Sequence, residues 1–362
     1  MQLAIPCALM RGGTSKGLYF NEADLPKDIG IRDKVLLAAM GSPDARQIDG
    51  VGGAHPLTSK VAIISLSSRD DADIDYLFLQ ILVDKGEVSD SQNCGNILAG
   101  VGPFAIESGM VTARDGTTDV RIFMVNTGAM AVARVTTPNG IVNYSGGARV
   151  DGVPGTAAPI PIEFLNIAGS SCGALLPTGK ARDVIDDVAV TCIDNGMPVV
   201  ILNALDFGLT GAESPKQLET NTNLKKRVER IRIKAGLVMN LGDVTDKTVP
   251  KICLVSAPLN GGVINTRTFI PHRVHEAIGV LGSVSVATAA VIQDSVAFEI
   301  ARTQVQDGFN LLEVEHPTGH FSVEMTLEGA ALQQVTVKRA ALLRTARLLM
   351  RGEVFVPAGL QQ

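Results

Sequence analysis

The chain has 362 residues, more than one small core organises, so two domains of ordinary size are expected. Hydrophobic residues make up 46% and charged residues 19% with a net charge of −5, a composition that excludes a disordered chain; aromatics are only 4% and Trp is absent, so Val, Ile, Leu and Ala must build the interior. No basic block interleaves with aromatics, which argues against nucleic acid, and no apolar run reaches the roughly 20 residues of a helical membrane span.

The first informative stretch is LMRGGTSKGLYF, Leu9 to Phe20. Gly12 and Gly17 have the separation of a phosphate loop, but Lys16 precedes Gly17 and Leu18 follows it, so the order that such a loop needs is reversed. What remains is a strand–turn–strand whose hydroxyls, Thr14 and Ser15, sit beside two glycines and can donate to a carboxylate. IRDKVLLAAMG then reads as a charged amphipathic helix. In GGAHPLTSKVAII, Lys60 heads an apolar strand-like run, where partial desolvation suits a lysine to base chemistry. In QNCGNILAGVGPFAI, Cys94 stands at the start of a helix that is apolar all round and therefore buried on all sides. A helix N-terminus cradles anions and favours a thiolate, and Gly95 and Asn96 beside the thiol let a ligand approach the backbone. The Pro, Gly and charge cluster LPTGKARDVIDD places a boundary near residue 182, giving domains 1–182 and 183–339, with 340–362 returning to the first.

The second half repeats the grammar of the first. Cys7 aligns with Cys192 at an offset of 185, Lys60 with Lys251 at 191, Cys94 with Ser283 at 189, and Gly128 with Gly319 at 191. Four such matches in one order indicate two half-chains of one plan. DNGMPVV around Met197 takes the place of the opening turn, LKKRVERIRIKAGLVMN supplies the charged helix, and Ser283 and Ser285 are expected at the start of the second apolar helix. NTRTFIPHRVH offers Arg267 as a carboxylate clamp and His272 as a polar ligand.

The remaining side chains set limits. The five cysteines are odd in number and none lies at CxxC spacing, which favours a reducing cytoplasm over disulfides or a cysteine zinc site. The opening MQLAIPCALMRGG lacks the charged n-region of a secretory signal, which also points to the cytoplasm. The pairs His272/His275 and His316/His320 have metal-compatible spacing, but there is no HExxH and Pro271 and Pro317 interrupt the helix it would need, so no metal is expected. With no nucleotide fingerprint either, the residues suggest a cleft between two similar halves, with anion cradles and an acid–base pair for proton abstraction beside a carbonyl or carboxylate.

At these same residues the chain resembles a known family. RGGTSKG, IDGVGGAHPLTSKVAII, QNCGNILAGVGPFA, CIDNGMPVV, NLGDV and EHPTG are similar to the PrpF and methylitaconate isomerase family, over essentially the whole chain. The resemblance implies a mixed α+β, diaminopimelate epimerase-like fold with two pseudo-symmetric domains, each a β-sheet wrapped around a central helix. SSCGALLPTG, TCIDNGMPVVILNA and FIPHRVHEAIGVLGSVSVATA resemble the branch that interconverts keto and enol forms of the tricarboxylic acid 4-oxalomesaconate in bacterial gallate degradation. That implies a cofactor-independent isomerase whose partner is a small tricarboxylic keto acid, with a homodimer left open. The family's catalytic Lys and Cys carry over onto Lys60 and Cys94; Thr14, Ser15, Gly95, Asn96, Met197, Arg267, His272, Ser283 and Ser285 are the residues expected to bind the substrate. The epimerases have a Cys in each half, whereas Ser283 stands at the second position here, which argues against racemisation by two thiols. Two alternatives remain: a 1,3-allylic isomerase of 4-oxalomesaconate or of a methylitaconate- or aconitate-like acid, and a non-catalytic tricarboxylate-binding accessory protein.

Overall fold

The computed structural model describes residues 1–90, 93–271, 273–329 and 336–361. The chain forms two compact units, Met1–Leu165 with Arg344–Gln362, and Asn166–Leu343. The division thus falls at 165/166 and 343/344, whereas the Pro/Gly and charge cluster used to place it at 182/183 lies inside the second unit.

The first unit opens with β1 (Gln2–Gly12) and β2 (Ser15–Asn21), an antiparallel hairpin turning at Gly13 and Thr14. Helix α1 (Ile29–Met40) follows, capped by the Asp28 side chain and ended by Gly41 in the left-handed region. Then come β3 (Lys60–Leu66), β4 (Ile74–Ile81), β5 (Val88–Ser89), helix α2 (Gly95–Glu107), β6 (Gly116–Met124), β7 (Ala129–Thr137) and β8 (Ile160–Leu165). Both faces of the sheet are covered, so the strands read as apolar runs rather than as strict alternation. On one face Ile5, Leu18, Phe20, Val61 and Ile63 pack on Val35, Leu36, Ala39 and Met40 of α1. On the other, β1, β2, β3, β4, β6 and β7 all pack against α2, whose residues Ile97 to Ile106 are buried. A helix enclosed this way must be apolar all round, which explains its composition.

The second unit holds β9 (Asp183–Ile185), β10 (Val188–Asp194), β11 (Pro198–Asn203), the short α3 (Pro215–Thr220), α4 (Thr222–Val238), β12 (Lys251–Ser256), β13 (Ile264–Ile270), β14 (Arg273–Val274), α5 (Val280–Val291), α6 (Val296–Ile300), β15 (Gly308–His316), β16 (Gly319–Glu328) and β17 (Thr336–Arg344). β18 (Ala346–Pro357) then returns to the first unit and pairs antiparallel with β1 along its whole length.

The two units share one strand plan. In the first, β1–β2 is a hairpin, β2–β3 parallel, β3–β4 antiparallel, β4–β6 parallel and β6–β7 antiparallel. In the second, β10–β11, β11–β12, β12–β13, β13–β15 and β15–β16 repeat that series of directions. Lys60 and Lys251 each open the third strand of their series, as the sequence offset implies. The match at the buried helix needs correction. α5 begins at Val280 with Gly279 as its N-cap, so Ser283 lies a turn inside the helix rather than at its start. Gly279 carries no capping side chain and is followed by apolar residues, so no polar signal marks that boundary. Helix α4 holds a second surprise: within its charged sequence Arg232 is fully buried, bidentate to Glu229 at 2.7 Å and donating to the carbonyls of Thr245, Lys247 and Val249. Among the described residues no helix is long and apolar enough to cross a membrane.

Candidate active site

Strand β3 places Lys60. Val61 and Ile63 face α1, so alternation turns Lys60 toward the face that carries α2. The side chain is only 6% exposed. Its Nζ donates to Gln80 Oε1 at 2.7 Å and lies 4.9 Å from the centre of the Phe78 ring. Gln80 is itself fixed: its Nε2 donates to the carbonyls of Pro56, Ser59 and Ile81 at 3.0 to 3.2 Å, which leaves Oε1 as the atom turned toward Lys60. The acceptor and the ring face both suit an ammonium group.

The same strand leads to the thiol. Gln80, Phe78 and Tyr76 pair with Lys60, Ala62 and Ile64 across β3–β4 and share one face of the sheet. The Tyr76 hydroxyl donates to the Cys94 carbonyl at 3.3 Å. Cys94 is the N-cap residue of α2, with an extended backbone and no side-chain cap bond, so its thiol is not engaged in closing the helix. Asn93 holds the position: its Oδ1 accepts the Cys94 N–H at 2.7 Å. Tyr19, buried on β2, donates to the Ile97 carbonyl at 2.6 Å and anchors the first turn.

The β1–β2 turn lies against this helix start. Asn96 Nδ2 donates to Thr14 Oγ1 at 3.1 Å and Asn96 Oδ1 accepts the Thr14 N–H at 3.4 Å. Thr14 therefore accepts one bond and keeps its own hydroxyl proton to donate. Gly13 has φ +50, and a Cβ there would stand 2.1 Å from Asn96 Oδ1, which accounts for glycine at this position. Ser15 Oγ is buried and has no hydrogen-bond partner among the described residues. Gly95 is the first residue of α2, directly after the thiol.

Arg344, not anticipated from sequence, also belongs here. It is only 1% exposed, and burial lowers its pKa to about 9, while the opposite charge of Cys94 partly restores it. This puts a buried cation within electrostatic reach of the thiol of Cys94, the N-cap residue of α2. RTARLLMR gave no sign of this, because an arginine between strand-like runs is normally solvated; only the burial identifies it. The Gln80 contact was equally hidden, since it depends on cross-strand register.

The candidates of the second unit are engaged within it. Ser285 Oγ donates to the Met197 carbonyl at 2.8 Å and accepts the Asn195 N–H at 3.2 Å. Ser283 Oγ donates back to the Val280 carbonyl at 2.7 Å, and both serines are fully buried. Arg267 donates through Nε to the Glu213 carbonyl at 2.6 Å and through Nη1 to Asn265 Oδ1 and the Thr266 carbonyl at 2.9 and 2.8 Å. His272 lies outside the described residues.

The cysteines separate cleanly. Burial pushes Cys7 up to about 11 and Cys172, Cys192 and Cys253 up to about 12, while Cys94 alone of the five is not buried. Brief iodoacetamide treatment of the native protein near pH 7.5 should therefore modify Cys94 and leave the other four until denaturation. Peptide mass mapping checks this; equal labelling of a second cysteine would contradict the described burial.

A sheet wrapped around one buried helix, built twice on the same strand plan, defines a diaminopimelate epimerase-like fold. The chain belongs to the PrpF family: the model described as PrpF protein matches residues 2–357. It is 59% identical over 355 residues to a Pseudomonas putida protein named 4-oxalomesaconate tautomerase, covering 98% of this chain and 97% of the relative. It is also 59% identical over 352 residues to a Novosphingobium sp. protein named (4E)-oxalomesaconate Delta-isomerase, covering 97% of each. A solved methylitaconate-delta-isomerase superposes with a TM-score of 0.89 at 35% identity, covering 100% of this chain and 97% of that one. The protein is an isomerase.

Proposed function

We propose that the protein interconverts the keto and enol tautomers of 4-oxalomesaconate without a cofactor, with Lys60 and Cys94 as its acid–base pair. The observation that supports this most is the 59% identity, over 98% of the chain, to a protein named for that reaction. Lys60 Nζ takes a proton from the methylene between the keto and alkenyl groups. Cys94 gives its thiol proton to the carbonyl oxygen as the enol forms, and transfer from the lysine ammonium to the thiolate resets the pair. Arg344 and the N-terminus of α2 stabilise the transient thiolate, and the Thr14 hydroxyl with the Asn96 amide holds a carboxylate. On this reading Ser283, Ser285 and Arg267 organise the second unit's backbone and any part they play in binding is indirect.

The equal identity to a Delta-isomerase favours one other reading, 1,3-allylic transfer in which the proton returns two carbons away and the double bond moves. Proton NMR of the reaction in deuterated water separates the two. Tautomerisation incorporates solvent deuterium at the methylene carbon faster than the spontaneous exchange, with the double bond in place once the enol has reverted. Accumulation of an isomer with a displaced double bond would overturn the tautomerase reading in favour of the allylic one.

A further inference from the structure

On the face of the first unit's sheet turned away from α2, Arg11 and Arg347 stand directly opposite each other in the antiparallel β1–β18 pair. Gly12 backs onto Asn96 and Ile97 at the start of α2, so strand alternation turns its neighbour Arg11 to the other side. Like charges opposite one another across strands repel. The closeness registers in Arg11, whose guanidinium is pushed below its ordinary value by burial first and Arg347 next. Among the described residues neither arginine forms an ion pair. Arg11 is nevertheless held in place: its Nη1 donates to the carbonyls of Gly13 and Thr345 at 2.8 and 3.2 Å and to Thr345 Oγ1 at 3.0 Å. A cavity of about 470 Å³ opens over the pair, and Tyr144, Ser145 and Thr156 bring further hydroxyls to its wall.

We propose that this cavity is a binding site for a small dianion whose charge lies on carboxylate or phosphoryl oxygens, with a lining that shares no residue with the Lys60 and Cys94 site. A bound dianion supplies the counter-charge that the facing guanidiniums lack, and each planar fork can address a different oxygen of it. Serine, threonine and tyrosine hydroxyls complete a lining that holds no carboxylate, Glu107 standing behind the Tyr144 phenol.

The protein's three tyrosines make a local test possible. Tyr144 lines the cavity, whereas Tyr19 and Tyr76 bond to the first turn of α2. Burial, and then Glu107, raise the Tyr144 pKa, so the phenol stays protonated at neutral pH and its resonance reports contacts rather than titration. Protein labelled with carbon-13 at tyrosine Cζ is titrated with inorganic phosphate and, separately, with citrate at constant ionic strength, the Tyr144 signal being assigned with Tyr144→Phe. The Tyr144 resonance should move and saturate, and in Arg347→Gln, a change at an exposed side chain, the same shift should require about tenfold more anion. The anion that saturates at lower concentration identifies the class. The proposal is overturned if Tyr144 does not respond up to about 10 mM of either anion, if Arg347→Gln titrates like the unaltered protein, or if only Tyr19 and Tyr76 respond.

Discussion

Lys60→Met should lower kcat/KM for tautomerisation of 4-oxalomesaconate by about 10³-fold, the scale on which a positioned proton-transfer group acts. Methionine keeps the unbranched stem that passes Phe78, so packing is largely retained. What disappears is the Nζ, together with the donor to Gln80 Oε1. Three carbonyls hold the Gln80 amide nitrogen, so its oxygen cannot swing to another donor, and the change costs about 1–3 kcal/mol of stability. The thermal midpoint therefore falls a little while the rate falls a great deal. Enol absorbance, with the spontaneous reaction subtracted, gives the rate. A near wild-type rate in a folded variant would remove Lys60 from the mechanism.

The second large effect is expected at a backbone contact. A Cβ at Gly12 would stand 2.4 Å from the Asn96 carbonyl oxygen, 3.0 Å from the Tyr19 hydroxyl and 3.1 Å from Ile97 Cα. The obstructing carbonyl lies in the first turn of α2, and the strands packed around that helix give it no room to retreat. Gly12→Ala should therefore cost about 2–4 kcal/mol, roughly 5–10 °C in Tm. It should also lower activity, because it displaces the helix start that carries Cys94. Gly86→Ala, where the added Cβ meets nothing within 4 Å, is the control and should leave both unchanged. If the two variants melted together, the close approach of β1 to α2 would not hold.

Features that rest on local chemistry were legible in the sequence. The glycines and hydroxyls of RGGTSKG marked the hairpin, the apolar run after Lys60 marked a strand, and a helix without a polar face was recognisably buried. The duplicated order of these signals carried the common strand plan of the two units. Features that rest on which strand lies beside which were not legible. Gln80 became the partner of Lys60 only through the register of β3 and β4, and Arg344 and Arg232 look like ordinary surface charges until burial is known. Ser283 was misplaced because α5 starts on glycine, and a helix that begins without a capping side chain leaves no mark in sequence.

The pairing of β1 with β18 bears on how the molecule is made. β1 lies at Gln2–Gly12 and β18 at Ala346–Pro357, so the hairpin that carries Thr14 has an open edge until residues 346–357 have been synthesised. The intervening unit, Asn166–Leu343, is continuous and can fold during synthesis, whereas the unit that carries Lys60 and Cys94 must wait for a strand encoded after that unit. A nascent chain stalled or cleaved before that strand would hold every proposed catalytic side chain and still lack the frame that aligns them. The order of synthesis thus delays completion of the proposed chemistry until β18 has been made.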